Sequence, residues 1–219
     1  MQLLALPQAV PAGVEVWLLT LNLQVPLHDS DLSILNDSER KHASSLHFHA
    51  DRVRSVVTRA TLRRLLAART MMAPEALLLT ANEYGKPGLQ GNANIEFNVS
   101  HAGCFALIAL SSHQRVGVDI EYIDRLIDVH SISQHVFSPL ERQSAQMSQQ
   151  AFMRHWVAKE SALKALGFGI SEHLQAVSIL SSDNTDYQIV CDYPAWPRLK
   201  GWLIEVPVDD YLAALTVEC

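Results

Sequence analysis

The chain has 219 residues, 48% hydrophobic and 18% charged, with a formal net charge of −6. That length can bury a core as one domain or as two closely joined halves, and this composition excludes a disordered tail. The acidic balance argues against nucleic-acid binding, which rests on many Lys and Arg neutralising phosphates, so any bound phosphate must be held locally.

In chain order, the opening "MQLLALPQAVPAG" lacks a basic n-region and is interrupted by two prolines, so no signal peptide is expected. No run of about eighteen apolar residues follows anywhere, which speaks against a transmembrane helix. Val14 to Asn22, "VEVWLLTLN", has the β-branched and aromatic bias of a first strand. "SDLSILNDSERKHASSL" reads as one helix capped near Ser30 or Asp31, and a longer helix is expected from about Asp51 to Thr70. Its apolar face is Val53, Val56, Val57, Ala60, Leu62 and Leu65, while Arg52, Arg54, Arg59, Arg63 and Arg64 crowd the remainder. Those arginines are read either as a solvated face or as an anion site.

"NEYGKPGL" is a turn by its Gly and Pro. "IEFNVSHAG", "CFALIALS" and "VGVDIEYI" follow as three short strands. From about Ile127 to Leu166 two or three helices are expected, one starting at "SPLE" with Pro at its first position. The chain finishes in the strands "AVSIL", "YQIVC", "WLIEVP" and "YLAALTV". Strands flanking a helical middle make an α+β pattern, with antiparallel pairing among the late strands. A short echo, "GVEV" from Gly13 and "GVDI" from Gly117, lies half a chain apart.

Asp119 and Glu121 are two apart on a strand, so both project from one face while Ile120 points away. On an exposed face the pair is ordinary; in a cleft it calls for a cation, and oxygen-only ligands suit Mg²⁺. On the helix "WVAKESALKALGFG", Trp156, Glu160 and Lys164 share a stripe at i, i+4 and i+8. Glu160 with Lys164 also fits an ordinary surface pair. "GFG" lacks the spacing of a P-loop, and there is no G-x-S-x-G elbow. Ser100 and His101, as neighbours in an extended run, point opposite ways. "HFH", from His47, reads as a surface turn rather than a metal site, and three cysteines without ligand spacing suit a reducing cytosol.

Together, "EYGKP", "FNVSHAG", "VGVDIE" and "FMRHWVAKESALKALGFG" stand in the order and spacing of the Sfp-type 4′-phosphopantetheinyl transferases, which this sequence resembles from Glu83 to Gly169. The arginine-rich helix extends the likeness to most of the chain, fading after about Ile170. The resemblance implies a cytoplasmic, monomeric pseudo-dimer of two similar α+β lobes, each a small, mainly antiparallel sheet packed with helices. By analogy the lobes are residues 1–112 and 113–219.

It further implies transfer of phosphopantetheine from coenzyme A to a serine of an apo carrier protein, releasing 3′,5′-ADP. In that picture Asp119, Glu121 and Glu160 hold Mg²⁺ against the pyrophosphate. Lys164 reaches the α-phosphate and Lys159 lies near the pyrophosphate. Lys86 and Pro87 of "GKP", Ser100 and His101, and Arg54 with Ser55 attend the 3′-phosphoadenosine end. Arg40 or Lys41 aligns with further basic contacts, one residue ambiguous. Glu160 is the candidate base, directly or through water on the ion, with Asp119 second. Two alternatives remain: a non-catalytic module binding carrier protein or coenzyme A, and a Mg²⁺-dependent pyrophosphohydrolase with water as nucleophile. The carrier and its pathway stay open among fatty-acid, polyketide and peptide synthesis.

Overall fold

The structure, a computed structural model, describes residues 1–91, 94–123, 128–144, 148–169, 173–181 and 185–219. The first half contains β1 (Gln2–Leu3), β2 (Val14–Thr20), α1 (Asp29–Leu32), α2 (Asp37–Ser45), α3 (His49–Thr70), β3 (Leu79–Ala81), β4 (Pro87–Leu89), β5 (Ile95–Ala102) and β6 (Phe105–Ser112). The second contains β7 (Val116–Tyr122), α4 (Val129–Val136), α5 (Pro139–Ser144), α6 (Gln149–Leu166), β8 (Val177–Ser181), β9 (Asp186–Cys191), β10 (Leu199–Ile204) and β11 (Tyr211–Glu218). The fold is α+β, and every strand pair is antiparallel. The expected helical start at Ile127 lies outside the described residues.

Among the described residues two large sheets form, in the orders β1-β2-β6-β5 and β7-β11-β10-β9-β8, with β3-β4 a separate hairpin. Each large sheet pairs its lobe's main opening strand, β2 or β7, with the lobe's last strand. The two ends of the Gly13/Gly117 echo therefore stand at matching places, at the openings of those two strands.

Alternation along the strands builds the layers. Leu107 and Ala109 of β6 join Val118, Ile120, Trp202 and Leu215 in a core between the sheets. The intervening Ala106, Ile108 and Leu110 pack on the Leu62 and Leu66 face of α3. On the far side, Val157, Ala162 and Leu163 of α6 cover the second sheet through Ala214 and Val177. The halves are also stitched edge to edge. Asn98 Oδ1 accepts from Val118 N at 3.0 Å and Ser100 Oγ accepts from Ile120 N at 3.4 Å, side chains taking the place of a backbone ladder between β5 and β7.

Two expectations need correction. The stretch read as one helix from Ser30 is two, because Asn36 accepts from Glu39 N at 2.9 Å while Glu39 accepts from Asn36 N at 2.9 Å. That capping box satisfies orphan N–H groups, contributes about 1 kcal/mol and starts α2 afresh. The arginines of α3 are not one solvated face either. Arg63 is fully buried, donating to Glu39, Pro74 O and Leu77 O at 2.9, 2.7 and 3.1 Å. His47 and His49 are exposed, as a surface turn requires. Among the described residues, no helix is long and apolar enough to cross a membrane.

Candidate active site between the lobes

Period-two alternation on β7 sends Val116, Val118 and Ile120 into the inter-sheet core, leaving Gly117, Asp119 and Glu121 on the side of α6. The helix sits unusually close. A Cβ on Gly117 would stand 2.0 Å from Ser161 O and 2.4 Å from Ala165 N, so only glycine admits α6 at this separation. Ser148 caps the helix start, accepting from Ala151 N at 3.1 Å, and Gly167 ends it in the left-handed region at φ 87°. Facing β7 across this contact, α6 presents Trp156, Glu160 and Lys164 on one stripe.

The result is a carboxylate trio. Asp119, Glu121 and Glu160 each place an oxygen within 4.8 Å of the others. Asp119 is 1% exposed and Glu160 5%. Lys164 Nζ lies 2.5 Å from Asp119 Oδ1 and 3.7 Å from Glu160 Oε2, and donates to Ser100 Oγ at 2.9 Å. Ser100 in turn donates to Asp119 Oδ1 at 2.7 Å, so its one proton and both lone pairs are used. Asp119 Oδ2 is buried with no hydrogen-bond partner among the described residues.

Crowded acids resist ionising. Burial, then the Asp119 charge, pushes Glu160 up to about 8 against the pull of Lys164. Burial and Asp119 likewise raise Glu121 to about 6, partly opposed by a hydrogen bond from Trp156. Lys164 is held above the ordinary lysine range: burial lowers it, but Asp119 and Glu160 outweigh burial. Three convergent oxygen donors, one with an unsatisfied buried oxygen, fit a hard divalent cation, which would offset this repulsion.

The trio opens on a cavity of about 670 Å³, a size suited to a cofactor-sized ligand. Its walls come from both halves of the chain: α2, α3, Pro87 and β5 on one side, β7 and α6 on the other. Of the residues expected from sequence, Arg54, Ser55, Pro87, Ser100, His101, Asp119, Glu121, Glu160 and Lys164 all line it. Arg54 Nε donates to Gly103 O at 2.7 Å and its guanidinium pairs with Asp51. Burial lowers the His101 imidazole, with the nearby Arg54 and Lys164 charges adding to the effect.

Other expected residues are elsewhere. Lys159, expected near the pyrophosphate, faces away from the cavity: it is fully buried, paired with Glu141 at 2.7 Å, and donates to Leu174 O at 2.8 Å and to Val177 O. Neighbouring helical positions are about 100° apart, and here that turn carries Lys159 to Glu141 while Glu160 faces the cavity. Lys86 does not line the large cavity; its ammonium rests on Ala165 O and Val116 O at 3.0 and 3.3 Å. Arg40 is tied to Leu32 O, Leu35 O and Asp37, and Lys41 is exposed, so neither lines it. In their place α2 offers Ser38, Glu39 and His42, and α3 adds Thr58 and Arg59. The capping-box spacing that places Asn36 at the start of α2 also puts Ser38 and His42 on one face, a signal the sequence reading passed over.

Comparison with known proteins agrees with the geometry. Residues 115–216 match the sequence model of the 4′-phosphopantetheinyl transferase superfamily, and residues 27–113 match that of the 4′-phosphopantetheinyl transferase N-terminal region. The chain is 28% identical to the 4′-phosphopantetheinyl transferase HetI of Nostoc sp., covering 93% of this chain and 87% of the relative. It is 30% identical to the slr0495 protein of Synechocystis sp., over 76% of this chain and 70% of that one. The 4′-phosphopantetheinyl transferase gsp of Aneurinibacillus migulanus is 33% identical over 55% of this chain and 51% of its own. These matches place a chain of this two-lobed α+β fold among group-transfer enzymes. The chain belongs to the 4′-phosphopantetheinyl transferase superfamily.

Proposed function

We propose that the enzyme transfers 4′-phosphopantetheine from coenzyme A to a serine hydroxyl of an apo acyl or peptidyl carrier protein, giving holo-carrier and 3′,5′-ADP, with Mg²⁺ held by Asp119, Glu121 and Glu160. The observation that carries this reading is the convergence of those three carboxylates, from one strand and one helix, at the wall of a two-lobed cavity. The ion, when bound, supplies a Lewis acid and template for the diphosphate.

The chain's own residues supply the rest. The serine oxygen forms a bond to the pantetheine-side phosphorus as the bridging P–O bond breaks, and the electron pair leaves on 3′,5′-ADP. Glu160 takes the serine proton, with Asp119 the second candidate. Lys164, one helical turn on, offers positive charge to the bridging phosphates. Arg54, Ser55 and His101 hold the 3′-phosphoadenosine end, with Ser100 and Pro87 beside them. The same reading divides the chain at 1–112 and 113–219, supported by the separate sheets, and takes the enzyme as a cytoplasmic monomer without nucleic-acid or membrane partners.

The test is mass spectrometry of apo-carriers incubated with enzyme, coenzyme A and Mg²⁺. A phosphopantetheine mass on the carrier serine is expected. Absence of added mass on acyl and peptidyl carriers alike, with folded enzyme that binds coenzyme A, overturns the reading; release of pantetheine phosphate without any carrier assigns the site to hydrolysis.

A further inference from the structure

The turn between β3 and β4 contacts the opposite half of the molecule at the two elements that deliver the carboxylates. Lys86 Nζ, with only 14% of its side chain exposed, donates to Ala165 O in the last turn of α6 and to Val116 O at the first residue of β7. Glu96 lies 3.8 Å from the same ammonium. Asn82 seats this lysine: its Oδ1 accepts from Tyr84 N and Lys86 N at 3.0 and 2.8 Å, while its Nδ2 donates to Gly167 O at 2.7 Å. Tyr84 packs edge-on against Phe168, ring centres 5.6 Å apart.

The carbonyls of a helix's last turn have no partners within the helix and carry its negative end. The Lys86 ammonium supplied from the other half satisfies one of them, and the Asn82 amide takes the Gly167 carbonyl just beyond the helix end. The choice of partners matters more than the capping. Ala165 follows Lys164 directly and lies five residues after Glu160; Val116 lies three before Asp119 and five before Glu121. One ammonium therefore ties the helix bearing Glu160 to the strand bearing the other two acids, beside the contact at Gly117 where α6 lies against β7.

We propose that Lys86, seated by Asn82, is a positioning residue that sets the spacing of the carboxylate trio and thereby the affinity of the cation site, acting through α6 and β7 rather than on the nucleotide. The inference rests on the reading of Asp119, Glu121 and Glu160 as cation ligands. Partners that orient metal ligands without touching the metal typically change affinity by about 10–100-fold when removed.

The experiment is Mn²⁺ binding to the intact protein without coenzyme A, followed by the electron paramagnetic resonance of free Mn²⁺. Lys86→Met is expected to weaken Mn²⁺ binding about tenfold. Asn82→Ala should weaken it less, and Lys86→Arg, which keeps a cationic donor, should restore most of it. Binding of 3′,5′-ADP in EDTA is the companion measurement, with little change expected in Lys86→Met. Wild-type Mn²⁺ affinity in Lys86→Met together with lost 3′,5′-ADP affinity overturns the proposal and makes Lys86 a nucleotide contact. If wild type itself binds no Mn²⁺, the cation reading fails and takes this proposal with it; equal Mn²⁺ binding by wild type and all three variants defeats this proposal alone. Should Lys86→Met not fold, the ranking of Asn82→Ala below wild type and Lys86→Arg decides.

Discussion

Lys159 and Glu160 are adjacent in sequence and serve different sides of one helix. Glu160 reaches the cavity, whereas the Lys159 ammonium is sealed against Glu141 at 2.7 Å in the interior of the second half. Burial lowers the lysine, and the Glu141 charge and hydrogen bond partly counter it. The helix that lines the cavity with Glu160 and Lys164 is thus anchored from behind by an ion pair.

Removing one member of this pair strands the other. Lys159→Met is expected to cost about 3–5 kcal/mol of stability, the usual penalty for an uncompensated buried charge. Lys159→Met combined with Glu141→Leu should cost less than the sum of the two single changes, because neither charge is left alone. Chemical denaturation of the four proteins measures this, and strict additivity would contradict it.

The close approach of α6 to β7 makes Gly117 intolerant. Gly117→Ala puts a Cβ against the backbone of Ser161 and Ala165, which cannot yield as a flexible side chain would. A loss of about 1–3 kcal/mol is expected from overpacking. Transfer should fall further than stability, since any retreat of α6 carries Glu160 away from Asp119. Thermal unfolding alongside carrier modification separates the two effects.

The acidic trio sets a pH dependence. Glu160 titrates near 8 in the fold against 4.5 for the free group, and Glu121 near 6. Their contribution to stability is therefore full below about pH 4.5 and is lost as pH rises through 6 and 8. The lowered His101 acts in the opposite sense, gaining stability as pH rises toward its ordinary value of 6.5. In EDTA, Glu160→Gln should unfold at a higher temperature than wild type at pH 8.5 and at nearly the same temperature at pH 4.5. A gain of 1 kcal/mol corresponds to about 2–4 °C in a protein of this size. The same variant should lose transfer activity by at least about 100-fold, the lower range for a lost general base. Equal pH profiles for the two proteins would remove Glu160 from the repulsive cluster.

Elsewhere on the cavity wall, Arg54→Ala and His101→Ala are expected to raise the KM for coenzyme A with little change in kcat. A charge-assisted hydrogen bond contributes about 1.5–3 kcal/mol, so a rise of about ten- to a hundredfold is expected for Arg54→Ala. Steady-state kinetics at saturating Mg²⁺ with a fixed carrier gives the split; a fall in kcat alone would place these residues in the chemistry instead.

Much of this was legible in the sequence because it depends on short-range period. Two residues along a strand fix Asp119 and Glu121 on one side, and four along a helix fix Glu160 above Lys164. The orientation of Lys159 was not legible in that way, since a turn of only about 100° separates it from Glu160 and its direction is set by Glu141 on another helix. The place of Lys86 was not, because the carbonyls of Ala165 and Val116 that hold it are 79 and 30 residues away and carry no side-chain signature. The contributions of Ser38 and His42 depend on where α2 begins. The Asn36 and Glu39 pair decides that, and it was absorbed into one longer helix.

Asn98 and Ser100 join β5 to β7 across a seam whose two sides belong to one polypeptide, bridged by only His113, Gln114 and Arg115. A connection that short keeps each half at a very high effective concentration for the other. An interface assembled from separate subunits comes apart on dilution; this one is renewed by the chain itself, so the cleft persists at any protein concentration a cell can offer.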